Sequence, residues 1–447
     1  MKLAFGFQAS IKEFLISYFN ENFFSRTTDE VVNEYKRVIK YTLGKEDPDA
    51  SHIAGLHELG YLPFKIRAVK EGTKVPIRVP MLTIENTDPK FFWLTNYIET
   101  IMSCVLWQPT TSATIAYEYR KLLNMYAETT GGDLGFVQFQ GHDFSMRGMS
   151  ALDASKASGA GHLLSFSGTD TIPAILYLEE FYNANIEKEL VGTSIPATEH
   201  SVMCAYGQNE LESYRRIITK VYPSGFASIV SDTWDLWSVL NDVIRTLKPE
   251  IMARDGKIVI RPDSGDPVKI ICGDPDSEDE NEHKGVIEIL WDIFGGAIND
   301  KGFKQLDSHI GCIYGDAITL ERCDEICRNL MAKGFASTNM VYGIGSFTYQ
   351  YNTRDTFGFA LKSTFGVFGG EEKNLFKDPI TDKASFKKSQ TGLVCVVNDN
   401  GNIKYVDGLS RKQRDQLKSV DLLEDIFIDG ELIRDESLSE IRARLAG

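Results

Sequence analysis

Seven short apolar segments between residues 136 and 346 alternate with amphipathic helical segments, and this alternation constrains the fold more than any other feature. Strands that alternate with helices predict a parallel sheet covered by its own crossover helices. Seven such units are more than an open sheet comfortably holds, so we expect a closed or irregular α/β barrel. The clearest strands are expected at 136–139, 163–166, 226–230, 257–260, 310–314 and 340–342, with helices at 233–254 and 320–333.

The two flanks of this region differ from it in character. Residues 1–131 have mainly helical patterns with an extended patch at 64–84, and the residues after 347 read as strands and turns. Two turn signals, Asn400-Gly401 and Asp429-Gly430, each lie between apolar runs and predict β-hairpins. Because 447 residues exceed what one core usually fills, we expect two domains. The predicted catalytic barrel covers 132–350, and a companion α+β domain is built from 1–131 plus 351–447.

Composition excludes several classes of protein. The formal net charge of −15 argues against general nucleic-acid binding, so an anionic small substrate would need a local basic patch. Seven scattered cysteines form neither a disulfide framework nor a zinc motif, which is typical of a reducing cytoplasm. No stretch approaches the 18 or more apolar residues of a membrane span, and the first residues lack a secretion signal. The expected location is therefore the cytoplasm.

Each apolar segment ends in polar or small residues. In α/β barrels, the residues just past the carboxyl ends of the strands converge on one pocket, so we expect most of the chemistry at that rim. The endings are His142-Asp143-Phe144, Gly168-Thr169-Asp170, Glu199-His200, Ser231-Asp232, Arg261-Pro262-Asp263-Ser264-Gly265, Gly315-Asp316 and Gly343-Ile344-Gly345.

Three of these endings bring charged groups together. Arg261 can pair with an anion or stack on a ring, and Asp263 can hold ribose hydroxyls or Mg²⁺. Asp232 and Asp316 end neighbouring strands and would crowd like charge there unless a cation or a polyol is bound. The alternative is a structural Arg–Asp ion pair that closes a barrel strand.

The ending at residues 343–346 (Gly-Ile-Gly-Ser) offers small residues whose backbone N–H groups can approach a phosphate. The signal is weak by itself, because residue 348 is Thr where a dinucleotide fingerprint has Gly, and no P-loop motif occurs. A structural turn is an equally good interpretation.

His200, at the start of a helix, is either a structural residue or a covalent nucleophile for a phosphoryl group. Phe144 and Asp170 could clasp a flat heteroaromatic ring, with Phe144 stacked on it and Asp170 accepting a carboxamide N–H bond. Arg147 would then reach an attached phosphate. Plain core packing is the competing interpretation of Phe144.

Together these motifs resemble the nicotinamide phosphoribosyltransferases, a type II phosphoribosyltransferase family near the nicotinate phosphoribosyltransferases. The resemblance covers most of the chain in the family's order. Besides the strand endings, it includes the segments 83–89 (TIENTDP), 93–100 (WLTNYIET) and 376–379 (FKDP).

The resemblance implies an irregular α/β barrel beside a second domain, and a homodimer with shared active sites. It implies transfer of phosphoribose from phosphoribosyl pyrophosphate to nicotinamide in NAD salvage, with Mg²⁺ and with ATP as a coupled co-substrate. Phe144, Asp170 and Arg261 resemble the residues around nicotinamide. Residues that resemble the 5′-phosphate, ribose and diphosphate contacts are Arg147, Gly345, Ser346, Asp263, Gly315 and Asp316.

The resemblance also implies that ATP phosphorylates His200, supported by Glu199 and Asp232, and that Asp263 and Asp232 hold diphosphate-bound magnesium. Basic residues that resemble phosphate contacts, several of them reaching the partner subunit's site, are Arg354, Lys362, Lys377 and Lys383.

Two departures from the family pattern bear on function. Ser346 replaces a usual Gly, and the chain begins near the family's first helix, so an Asp-Ser-Tyr-Lys segment whose Tyr covers the second ring face is expected to be missing. Two alternatives stay open: a nicotinate-specific enzyme, and a non-catalytic homologue that binds nucleotides or a partner. Asp170 favours the amide over nicotinate, because its charge would repel a substrate carboxylate.

Overall fold

The computed structural model describes residues 1–315, 317–381 and 389–446. The chain forms two compact units. The barrel unit consists of Ile115–Leu176 and Asn185–Asn352, and the companion unit consists of Met1–Thr114, Tyr177–Ala184 and Thr353–Gly447.

A curled parallel sheet forms the centre of the barrel unit. Its strands are β1 (Gly141–Asp143), β2 (Gly168–Thr169), β3 (Ala227–Val230), β4 (Ile258–Arg261), β5 (Ile310–Tyr314) and β6 (Met340–Ile344). Their order in the sheet is β2-β1-β6-β5-β4-β3. Every neighbouring pair is parallel. Both edge strands are bridged by one segment, since Thr193 pairs with Gly168 of β2 and Ala197 with Ser228 of β3. The predicted irregular α/β barrel is thus confirmed.

The last four strands lie within two residues of their predicted bounds, whereas the first two predictions were wrong. Residues 136–139 overlap the helix Val137–Gln140, and 163–166 form the turn after the helix Leu152–His162. The true strands begin at glycines that rings pack against. A β-carbon at Gly141 would lie 2.8 Å from the Phe166 ring, and one at Gly168 would lie 2.8 Å from Nδ1 of His142. These strands therefore carry no apolar run that periodicity could detect.

The core of the barrel unit lies between the sheet and the helices that follow its strands. Ile258, Ile260, Ile310 and Cys312 are buried in it, as expected for parallel strands covered by helices. The predicted helix 320–333 is confirmed, and 233–254 contains shorter helical pieces that include the π-helical Val239–Ile244. The helices are the end of Leu94–Thr130, Val137–Gln140, Leu152–His162, the start of Ile172–Tyr182, His200–Cys204, Glu210–Arg216 with Ile217–Val221, Leu236–Ser238, Lys248–Met252, Pro267–Cys272, Glu280–Lys284, Val286–Phe294, Leu320–Ala332 and Ser346–Tyr349, with a hairpin of Gly296–Ile298 and Lys304–Leu306.

The companion unit has its own antiparallel sheet and its own core. Its four-stranded sheet runs in the order Glu431–Leu432, Glu424–Ile428, Phe64–Ala68, Leu82–Asn86. Both predicted hairpins are confirmed, and Asn400 and Asp429 have the positive φ of 53° and 50° that a tight two-residue turn requires. Further elements are Lys2–Leu3, Phe7–Ser10, Ile11–Tyr18, Asn20–Phe24, Thr28–Leu43, Ser51–Leu59, Lys74–Val75, the start of Leu94–Thr130, Phe365–Phe368, Glu371–Asn374, Leu393–Asp399, Asn402–Leu409, Arg411–Gln416 and Leu438–Ala446.

Within the described ranges, none of the helices combines the length and the apolar character that crossing a membrane requires.

Candidate active site

The polar strand endings meet at one rim of the barrel unit, because all six strands are parallel and point the same way. Two groups of side chains form there. One surrounds Asp170 and Phe144, and the other surrounds Asp232, Asp263 and His200.

Asp170, just after β2, is held through a single carboxylate oxygen. His142 Nε2 lies 2.9 Å from its Oδ1, and the Ser194 hydroxyl donates to the same oxygen at 2.5 Å. Burial acts to raise the pKa of Asp170, but the bonds from His142 and Ser194 and the nearby Arg261 charge together hold that pKa below its ordinary value. The side chain is 45% exposed. Asp170 is therefore an ionised acceptor whose second oxygen, Oδ2, receives neither of these bonds.

Phe144 contacts His142, the residue whose Nε2 holds the Asp170 carboxylate. Its ring is 4.6 Å from the His142 ring, and its backbone N–H donates to the Ile344 carbonyl of β6 at 3.0 Å. A β-carbon at Gly343 would lie 2.7 Å from Cδ2 of Phe144, so glycine makes room for the ring there. Because Phe144 is only half-buried, it can offer a face to a planar ligand.

In the second group, Arg261 is anchored at the end of β4. Its Nη2 donates to the Thr198 carbonyl at 2.7 Å, and its Nε lies 3.5 Å from Asp263 Oδ1. A β-carbon at Gly315 would come within 2.2 Å of the same Asp263 oxygen, so glycine at the end of β5 is required by the Asp263 position. The arrangement presents a guanidinium and a carboxylate side by side.

Asp232 and His200 complete this group. Asp232 Oδ2 accepts bonds from the Asp263 backbone N–H at 2.9 Å and the Ser264 hydroxyl at 2.5 Å. His200 Nε2 lies 3.8 Å from Asp232 Oδ1 and 3.9 Å from Asp263 Oδ2, and its Nδ1 lies 3.1 Å from the Thr233 hydroxyl. Glu199, by contrast, is exposed, and its carboxylate accepts a bond from Ser201. The structure thus brings His200 to Asp232 and Asp263, while Glu199 is bonded elsewhere.

The candidate phosphate-binding turn lies after β6. Gly345 and Ser346 begin the helix Ser346–Tyr349, and the exposed Arg147 lies on the short turn Met146–Gly148. These two turns touch, since a β-carbon at Gly148 would lie 2.0 Å from the Ser346 hydroxyl oxygen. The turn that carries Arg147 therefore lies against the turn that contains Ser346.

The remaining predicted residues belong to the companion unit or lie outside the described residues. Arg354, Lys362 and Lys377 belong to the companion unit, where Arg354 pairs with Asp355 at 3.4 Å. Asp316 and Lys383 lie outside the described residues.

Sequence reasoning gave no role to His142, Ser194 or Thr233, although each contacts a predicted site residue. For two of these three residues, the position in the sequence could have indicated a role. His142 opens the ending that contains Phe144, and Thr233 directly follows Asp232. Ser194 lies five residues before Glu199-His200, inside the segment that bridges the sheet edges, and no pattern marked it.

Among the residues that the structure describes, no group of three or more His, Cys, Asp or Glu is arranged to hold a metal ion by itself. One observation is consistent with a cation that binds to the protein and to a bound ligand at the same time. Asp232 is 6% exposed at its side chain, and its Oδ1 accepts no hydrogen bond from any described residue. Magnesium usually binds one or two carboxylates together with substrate phosphates and water.

Comparison with known proteins agrees with this geometry. Residues 139–430 match the nicotinate phosphoribosyltransferase (NAPRTase) family. The chain is 50% identical to a protein of Acinetobacter baylyi named nicotinamide phosphoribosyltransferase, over 99% of this chain and 88% of that protein. A protein of the same name from Xanthomonas campestris pv. campestris is 34% identical over 86% of this chain and 79% of its own length.

Among solved structures, the nicotinate-nucleotide pyrophosphorylase of Pyrococcus furiosus shares the fold, with a TM-score of 0.51 and 16% identity over 86% of this chain and 80% of that chain. The family match and the relatives together cover the barrel, its rim and nearly the whole chain. The chain therefore belongs to the nicotinate phosphoribosyltransferase (NAPRTase) family and is a phosphoribosyl-transferring enzyme of the type II fold.

Proposed function

We propose that this protein is a nicotinamide phosphoribosyltransferase of NAD salvage. It joins nicotinamide to phosphoribosyl pyrophosphate and forms nicotinamide mononucleotide and pyrophosphate. The observation that carries the proposal is the ionised Asp170 carboxylate, held by two donors on one oxygen, one of which, His142, also contacts the Phe144 ring. The names of the relatives from Acinetobacter and Xanthomonas support the same substrate.

In this reaction Phe144 stacks on the pyridine ring, and Asp170 Oδ2 accepts an N–H bond from the carboxamide. A carboxamide supplies a donor that nicotinate lacks, and nicotinate would bring a second negative charge against Asp170. The Arg261 charge helps to lower the pKa of Asp170, which supports our assignment of Arg261 to the surroundings of this substrate.

The phosphate groups require cationic and N–H donors in an acidic protein. Arg147 and the Gly345-Ser346 turn hold the 5′-phosphate, and Asp263, Gly315 and Asp316 contact the ribose and diphosphate. Further phosphate contacts come from Arg354, Lys362, Lys377 and Lys383, several of them reaching the active site of the partner in a homodimer.

Asp232 and Asp263 would hold Mg²⁺ together with diphosphate oxygens, and the ion when bound would neutralise charge on the leaving pyrophosphate. The side chains place the pyridine nitrogen in line with the anomeric carbon of the ribose. The N–C bond then forms as the C–O bond to pyrophosphate breaks, with inversion at that carbon. Arg261 is anchored by Thr198, so its guanidinium is preorganised for the anionic substrate.

ATP is coupled to the reaction through His200, which accepts the γ-phosphoryl group. Asp232, whose Oδ1 lies 3.8 Å from Nε2, supports it, whereas Glu199, the other support that the resemblance implies, accepts a bond from Ser201 instead. Hydrolysis of this phosphohistidine drives the site toward tighter substrate binding and product formation. The His200 side chain is 49% exposed, which leaves room for a nucleotide phosphate. We place the enzyme in the cytoplasm.

The test measures pyrophosphate and mononucleotide formed by the purified protein from phosphoribosyl pyrophosphate with nicotinamide or nicotinate, each with and without ATP. We expect turnover with nicotinamide, stimulation by ATP, and loss of that stimulation in His200→Ala. Equal use of nicotinate would contradict the amide assignment and favour the nicotinate specificity that the name of the family states. Binding of the mononucleotide without pyrophosphate release would favour a non-catalytic homologue.

A further inference from the structure

The imidazole of His200 is held differently at its two nitrogens. Nδ1 lies 3.1 Å from the Thr233 hydroxyl, within hydrogen-bond distance. Nε2 faces Asp232 and Asp263 at 3.8 and 3.9 Å, which is beyond hydrogen-bond distance. The ring therefore has one bonded nitrogen and one that stays open to an incoming group.

We propose that Thr233 is a positioning residue that holds His200 through Nδ1 and so directs the phosphoryl group of a nucleoside triphosphate to Nε2. The inference rests on the proposed role of His200 as a phosphoryl acceptor and adds to it the residue that chooses the reacting nitrogen.

No other described residue has a hydrogen bond to this ring that could replace Thr233. Glu199 precedes His200 in the chain, but its Oε2 accepts from Ser201 at 3.4 Å. Asp232 Oδ2 is already bonded to Asp263 and Ser264, and its Oδ1 is near Nε2 rather than Nδ1. The orientation of the imidazole therefore depends on the hydroxyl.

A hydroxyl suits this position better than a carboxylate, because it both donates and accepts. When the ring proton is on Nε2, Thr233 donates to Nδ1. When the proton is on Nδ1, Thr233 accepts from it by rotating its O–H bond. A carboxylate can only accept hydrogen bonds, so it would bond to Nδ1 only when Nδ1 carries the proton. Thr233 is also β-branched and half-buried next to the anchored Asp232, which restricts its rotamer.

The chemical step balances with the nucleoside triphosphate as the only co-reactant. The ring reacts in the tautomer that carries its proton on Nδ1, and this N–H donates a hydrogen bond to Thr233 Oγ1. The Nε2 lone pair forms the N–P bond, the bond from the γ-phosphorus to the bridging oxygen breaks, and its electron pair leaves with the nucleoside diphosphate. In the phosphorylated ring the proton remains on Nδ1, and its hydrogen bond to Thr233 Oγ1 is kept. Water later takes the phosphoryl group and regenerates the imidazole.

The experiment compares Thr233→Val, which keeps the shape and removes the hydroxyl, with Thr233→Ser, which keeps the hydroxyl. Phosphoenzyme formed from γ-³²P-ATP is measured by rapid quench under alkaline conditions, with His200→Ala as the blank. The ³¹P NMR shift of the phosphoenzyme distinguishes Nε2-linked from Nδ1-linked phosphohistidine. This spectroscopic readout would not respond to a purely structural role.

We expect the valine variant to form phosphoenzyme about tenfold more slowly, because it loses one hydrogen bond. We also expect its phosphoenzyme to contain Nδ1-linked phosphate. The serine variant should restore the rate and the Nε2 isomer. A valine variant with the wild-type rate and only the Nε2 isomer overturns the role of Thr233 alone. A wild-type enzyme that forms no His200-dependent phosphoenzyme overturns the role of His200 as well. If the valine variant does not fold, Thr233→Ala is measured against the same two criteria.

Discussion

Replacing Asp170 by Asn tests most directly how the rim recognises its substrate. The change removes the negative charge and keeps the size of the side chain, and an Asn oxygen can still accept the bonds from His142 and Ser194. The surroundings of the site are therefore expected to persist. What changes is the charge on the atom that we propose accepts the N–H bond of the substrate amide.

The size of the effect follows from the contacts. Two charges about 4 Å apart interact by about 4 kcal/mol at an effective dielectric constant of about 20, and the partial exposure of Asp170 reduces this to about 2 kcal/mol. Nicotinate also forfeits the charge-assisted N–H bond, about 1.5 kcal/mol. The sum of about 3.5 kcal/mol corresponds to a preference of about 300-fold for nicotinamide in kcat/KM. In Asp170→Asn we expect nicotinamide to lose about tenfold and nicotinate to gain about thirtyfold, and together these changes abolish the preference of about 300-fold.

The assay is initial-rate pyrophosphate release with each substrate at saturating phosphoribosyl pyrophosphate. Asp300→Asn, an exposed position in the loop of the hairpin 296–306, makes the same change in net charge and should leave the ratio unaltered. An unchanged ratio in Asp170→Asn, with normal thermal stability, would refute the electrostatic argument.

Three further predictions concern single contacts. Gly315→Ala should reduce kcat/KM at least tenfold with little change in melting temperature, because the new β-carbon would displace the Asp263 carboxylate; wild-type kinetics would contradict this. Gly148→Ala should impair activity through the Ser346 hydroxyl, and adding Ser346→Gly should restore it, a coupling that a double-mutant cycle measures. Burial raises the pKa of Glu71 from 4.5 to about 7, so the folded companion unit binds a proton that the unfolded chain has released. Stability should therefore fall by up to about 3 kcal/mol as pH rises through that interval; Glu71→Gln should flatten this slope in thermal unfolding at pH 5 and pH 8.

Much of the fold could be predicted because buried parallel strands have continuous apolar sequences. The strands β3 to β6 follow such runs, and the hairpin turns at 400–401 and 429–430 follow from residues that tolerate positive φ. The strands β1 and β2 escaped detection because a glycine replaces an apolar residue wherever the rings of Phe166 and His142 occupy the space.

The sequence by itself determined the alternation of strands and helices, the polar residues at each strand end, and hence the rim where they meet. Only the tertiary structure decided which side chains share a hydrogen bond. Ser194 reaches Asp170, and Thr233 reaches His200, across 24 and 33 residues of chain. The physical reason is that these partners come from different strand ends, and their distance depends on how the sheet curls and how one segment bridges its two edges. The local sequence pattern does not specify how the sheet curls or how its two edges are bridged.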